Sequence, residues 1–160
     1  MELSRWFDYQ LRSTLDGFIW AVQQLPTERV YAIPPTPLGE WSAAQHVFHI
    51  LEYERDLALP SMQQWLGAPA VIRPENYGQQ DVRPVEEMLT EFEHVRHEEI
   101  DLLPRFGEEA WNSTQRTTFW GEVSLYWLVC KTYQHTTEHI HDILRLSLFW
   151  DRILERMSRG

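Results

Sequence analysis

Three histidines crowd the stretch YQHTTEHIHDILRL, residues 133–146, and their spacing decides which of them can act together. On a helix advancing about 100° per residue, His135 and His139 lie about 40° apart, one turn above the other. Two imidazoles stacked in this way can converge on one cation. His141 lies roughly 200° from His139, beside Lys131, Gln134, Glu138 and Arg145, and belongs to the solvated side. A second group stands in QHVFHILEYE, residues 45–54, where His46, His49 and Tyr53 fall within about 60° of one another. One imidazole from that group would complete a triad. Three neutral imidazoles hold zinc or a similar divalent ion and leave room for water, which is the arrangement of a reactive centre rather than a closed structural one. The HxxxH pair alone is a weak signal, and a third histidine on another element strengthens it. His94 and His97, in EFEHVRHEE, sit among glutamates and read as part of a solvated charged face.

Carboxylates stand near these imidazoles. Glu52 and Asp142 come one turn after His49 and His139, where either could orient a ring or carry a proton. Glu54 falls inside the apolar arc, near Ala43 and Val47. A buried carboxylate needs a partner, so a structural ion pair with a group on another helix is the expectation. Trp111, Phe119, Trp120, Tyr126 and Trp127 read as core or interface ahead of a pocket lining.

The elements that must position these groups are helical. From Leu3, the residues Phe7, Leu11, Leu15, Phe18, Val22 and Leu25 recur every three or four positions until Pro26. The proline-dense PTERVYAIPPTPLGE is an extended connection. Ser42 followed by Gln45 forms a capping box that starts a second helix. It runs to Pro60 and resumes through SMQQWL before Gly67 and Pro69 end it. After the loop APAVIRPENYGQQDVR, Pro84 suits a first helical position, and Val85, Leu89, Phe92, Val95, Ile100 and Leu103 mark a third helix that Pro104 closes. Residues 106–122 are mixed and turn-like, and no segment alternates as a strand should. From Ser124 the period resumes at Leu125, Leu128, Thr132, Thr136, Ile140, Ile143 and Leu146. It continues through Phe149, Ile153 and Met157, as one very long helix or as two pieces broken near Ser147. The expected fold class is all-α: a four-helix bundle with a C-terminal helical extension, one domain over residues 1–160.

Composition bounds the function. A chain of 160 residues with 43% hydrophobic residues and eight Trp has enough apolar surface for a packed core. Its formal charge of -10 would repel a phosphate backbone. Arg5, Arg12, Arg29, Arg55 and Arg152 are scattered among acids rather than gathered in a stripe, so no nucleic-acid partner is expected. No run approaches a membrane span or a signal peptide, which makes the expected location the cytoplasm. Cys130 is the only cysteine, so a metal here must use imidazole and oxygen.

The order WSAAQHVFHILEYE, a third amphipathic helix, then WGEVSLYWLVCKTYQHTTEHIHDI, resembles the DinB/YfiT-like superfamily of metal-binding four-helix bundles. Trp41 and Ser42 match the opening of its second helix, His49 with Ile50 its first ligand position, and His135, His139 and Ile140 its HxxxH motif. His46 precedes the matching position and is left out. The resemblance spans helix one to about Leu146. It implies a divalent metal, zinc or nickel most often, held by His49, His135 and His139 with water, and frequently a homodimer. Members include transferases of low-molecular-weight bacterial thiols, a mycothiol-dependent isomerase and hydrolase-like proteins. Two classes of function follow: a metal-dependent thiol S-transferase or hydrolase acting on a small molecule, and a non-catalytic metal-binding or scaffold bundle. The proline-rich connection, the tryptophans near helix four and the C-terminal extension depart from the simplest pattern and leave the substrate open.

Overall fold

Four apolar stripes become four helices in the computed structural model, which describes residues 2–79 and 83–159. Helix α1 (Leu3–Gln23) buries Phe7, Leu11, Leu15, Phe18 and Val22, the stripe its period requires. Helix α2 starts at Ala43 behind the expected box: Ser42 Oγ accepts the Gln45 amide at 3.2 Å, and Gln45 Oε1 accepts the Ser42 amide at 2.7 Å. Pro60 does not interrupt it. The chain is α-helical over Ala43–Tyr53, widens into a π turn over Glu54–Ala58 and returns to α over Leu59–Gln63. A proline ring crowds the carbonyl one turn before it and offers no N–H, and a widened turn relieves both demands without ending the helix. The expected break is thus replaced by a π bulge that carries Glu54, with the end coming at Gly67 in the left-handed region, φ 92°.

Helix α3 (Val85–Leu102) follows Pro84, which caps it from one position outside the helix. A 3-10 turn over Leu103–Arg105 then carries the chain past Pro104. Helix α4 (Leu125–Ser158) begins where Ser124 Oγ accepts the Trp127 amide at 3.1 Å, and it runs unbroken for 34 residues. Ser147 makes no joint, because Leu146 before it and Trp150 after it are both buried and the apolar stripe continues across.

The expectation of no strand fails over residues 114–124. Strand β1 (Thr114–Thr117) pairs antiparallel with β2 (Gly121–Ser124), Thr114 opposite Ser124 and Thr117 opposite Gly121. Thr117 Oγ1 accepts the Trp120 amide at 3.1 Å and donates to the Gly121 carbonyl at 3.0 Å, which closes the turn. Most of the hairpin is exposed, so no buried face imposed the alternation that marks a strand.

In cross-section α1 lies along α3 and α4, and α2 lies along the same two, so α1 and α2 are diagonal. Phe18 meets Phe92 edge to face at 5.2 Å, and Trp111 stacks on Phe7 at 5.4 Å, which places Trp111 in the core. At the centre lies Arg96 of α3, wholly buried. Its guanidinium donates to both carboxylate oxygens of Glu54 on α2, to the Leu11 carbonyl and Thr14 hydroxyl on α1, and to the Thr136 hydroxyl on α4. One side chain thereby joins all four helices. Among the described residues no helix is long and apolar enough to cross a membrane.

Candidate metal centre at the α2–α4 seam

Ser42 fixes where α2 begins, and that start sets the bearing of His46 and His49 toward α4. The unbroken period of α4 does the same for His135 and His139. The two helices bring three imidazoles together: His135 Nε2 lies 3.1 Å from His49 Nε2 and 3.3 Å from His139 Nε2. One ligand-type atom from each lies within 4.8 Å of the other two. Nitrogens bound tetrahedrally at about 2.05 Å from a common ion stand about 3.3 Å apart. The two separations match that geometry closely, so the donor set fits a divalent ion.

The rings are held from several sides. Trp41, just before the cap, meets His46 and His49 edge to face at 5.4 and 4.9 Å and lies parallel to His139 at 6.0 Å. Tyr53 meets the His135 ring edge to face at 4.4 Å. Burial pushes the imidazoles down from their ordinary range: His46 to about 4, His135 to about 3, His139 to about 2, and His49 in the same direction. For His135 and His139 the neighbouring imidazoles add to the effect. All four rings are therefore neutral at pH 7, the form that ligates metal.

His46, outside the matched motif, proves to belong to the site. It is buried, and its Nδ1 stands 2.7 Å from His139 Nδ1. His139 Nε2 is turned toward His135, so when that nitrogen ligates an ion the ring proton sits on Nδ1, where His46 Nδ1 can accept it and hold the tautomer that presents the Nε2 lone pair. The sequence did carry a sign of this, since His46 and His49 are three residues apart on one face. Substituting phenylalanine for His46 keeps a ring in place and removes the acceptor. Zinc affinity, measured by chelator competition, is then expected to fall about 10–100-fold. An unchanged affinity would refute the assigned role.

The carboxylates divide. Glu52 turns away from His49 and accepts the Gly78 amide at 2.7 Å. Asp142 stays close, within 4.8 Å of ligand-type atoms of both His46 and His139. Glu54 forms the structural ion pair its bearing demanded, with Arg96. His141, His94 and His97 are exposed, and His94 pairs with Glu98 at 3.0 Å. Outward from the site opens a cleft of about 560 Å³, lined by Glu40, Trp41, His46, His139, Asp142 and Arg145 among others.

The DinB superfamily profile matches residues 10–143, from α1 through the HxxxH segment of α4. The chain belongs to the DinB superfamily. No curated protein matches it at a significant level.

Proposed function

We propose that the chain is a divalent-metal-dependent enzyme, a thiol S-transferase or hydrolase of small molecules, with His49, His135 and His139 as its ligands. The observation that carries this reading is the convergence of three neutral imidazoles, 3.1 and 3.3 Å apart along two edges, with His139 lining a polar cleft and His49 a smaller one. A purely structural centre would be closed off, whereas His139 of this set, together with His46, lines a cleft large enough for a small molecule. When bound, zinc or nickel supplies a Lewis acid that favours the anionic form of a water or thiol near neutral pH.

The chain's own groups do the rest. His46 holds the Nδ1 proton of His139 and, with Asp142 nearby, offers a path for a proton toward the cleft. Trp41 covers three of the rings and limits water. Tyr53, whose phenol burial pushes up, stays protonated beside His135.

Untagged protein incubated with zinc or nickel and passed through a desalting column should retain stoichiometric metal, and His49→Ala and His135→Ala should not. Retention equal in parent and variants, or in neither, would sink the ligand assignment. Metal-dependent thiol consumption against a panel of electrophiles would then establish turnover, and its absence would leave a metal-binding bundle.

A further inference from the structure

Arg152 was among the arginines expected to be scattered among acids, yet it stands beside two others. On α4, Arg145, Arg152 and Arg156 are spaced by seven and four residues and share one face. With Leu38, Phe149 and Ile153 they line a cleft of about 300 Å³ in which no carboxylate takes part. Arg152 and Arg156 are exposed and their side chains form no ion pair or hydrogen bond among the described residues, and the Arg145 side chain has only a 3.7 Å approach from Asp142 and a 3.5 Å bond to the Pro37 carbonyl. On a chain of charge -10 with 14 Lys and Arg in all, three guanidiniums beside an apolar floor, without acids in the lining, are a local reversal of the surface field. Arg29 shows the contrast: on the far side of Trp150 it is paired with Asp151 at 2.6 Å.

This cleft shares Pro37, Leu38 and Arg145 with the larger one that reaches His46 and His139. The two form one trough from the imidazoles to the C-terminal part of α4. The α4 wall of its far end, residues 145–156, lies beyond the family match, and Pro37 and Leu38 face it from within that match.

We propose that the arginine end of this trough, away from Glu40 and Asp142, binds small amphiphilic anions: a carboxylate, sulfonate or phosphate on an aryl or acyl body. Arginine pairs such groups through two parallel N–H donors, and Leu38, Phe149 and Ile153 take the apolar body. Binding at the arginine end needs no metal. That the occupant is also the substrate of the histidine site rests on the function proposed above.

The test uses 1-anilinonaphthalene-8-sulfonate as a fluorescent probe and octanoate as competitor, with the full chain freed of metal by chelation. Octanoate should displace the probe, and neutral 1-octanol should do so far less well. The double variant R152E/R156E should bind octanoate about tenfold more weakly, whereas R5E/R105E, on exposed arginines elsewhere, should match the parent. All three proteins should melt alike, since each altered residue is exposed. Equal displacement by octanol, or equal octanoate affinity in R152E/R156E, would overturn the proposal. Because this arm contains no metal, it stands or falls apart from the ligand assignment. In a second arm, saturating octanoate should shift the His46 and His139 ring resonances in the zinc-treated parent. Unshifted rings would refute the continuity of the trough with the histidines.

Discussion

Leucine in place of Arg96 is expected to cost the fold about 3–5 kcal/mol, read as a lowered urea midpoint in equilibrium unfolding. The guanidinium is wholly buried and its partners come from every helix of the bundle, so its loss leaves the Glu54 carboxyl, already pushed up by burial, without a counter-ion in an apolar interior, with the Thr136 hydroxyl 3.1 Å away. It also leaves the Leu11 carbonyl and the Thr14 hydroxyl without their cross-helix donor. Lysine should fail almost as badly, because one ammonium cannot span a two-oxygen carboxylate and three further acceptors in a plane. Glu99 behaves differently. It lies 3.3 Å from Arg96 Nε without a hydrogen bond, and burial followed by the charge of Glu54 pushes its carboxyl well above the usual range. The cluster therefore balances as one cation, one carboxylate and one carboxylic acid. Glu99→Gln, neutral and nearly isosteric, should unfold close to the parent at pH 7. A parent-like midpoint for Arg96→Leu would show that the network carries no weight, and a steep loss for Glu99→Gln would show that Glu99 is ionised.

The same cluster shows where sequence reasoning stops. Glu54 demanded a buried partner from its bearing alone, but the partner stands 42 residues away, inside EFEHVRHEE, a run that reads as a solvated face. His94 and His97 are indeed solvated, while Arg96 and Glu99 from the same run are fully buried. Helical period gives each residue a bearing but cannot say which neighbouring helix that bearing meets. His135 and His139 were legible as a pair because local spacing fixes their bearings before any tertiary contact forms, whereas spacing left His46 and His49 both open and the family resemblance chose His49. The contact of His46 with His139 Nδ1 depends on how α2 crosses α4, and period does not encode that. The π turn at Glu54–Ala58 was hidden because it is the bundle's answer to Pro60, set by burial on both sides of the proline. The hairpin escaped because its faces are exposed. The arginine face of α4 was readable as spacing, but its apolar rim, from Pro37 and Leu38, comes from a connection more than a hundred residues earlier.

The largest pH effect should come from the imidazoles. In an unfolded chain each titrates near 6.5, whereas in the fold burial holds His46 near 4, His135 near 3 and His139 near 2. Above about pH 6.5 both states are neutral and the stability is fully present. Below it the unfolded chain takes up protons that the folded chain refuses, so stability falls by about 1.4 kcal/mol per pH unit for each ring until the folded values are reached. Glu99 runs the other way, since its raised value makes the fold the better proton holder, and it offsets about one ring while the unfolded carboxyl, near 4.3, stays ionised. Burial also lowers His49 and raises Glu54, which oppose each other, so the remainder stays a loss of about 3 kcal/mol per pH unit. Against a typical total of 5–15 kcal/mol, this places acid unfolding of the metal-free protein between about pH 6 and 4. Zinc should move that midpoint downward, because an ion bound to the neutral rings of the native state opposes their protonation. His139→Ala should abolish the zinc-dependent shift while retaining the shallower acid loss due to His46 and His135. Circular dichroism followed from pH 8 to 3, with and without zinc, checks both expectations. A metal-free parent of constant urea midpoint from pH 6.5 to 4.5 would mean that these rings are not held neutral by burial, and the case for a preformed set of ligand nitrogens would fall with it.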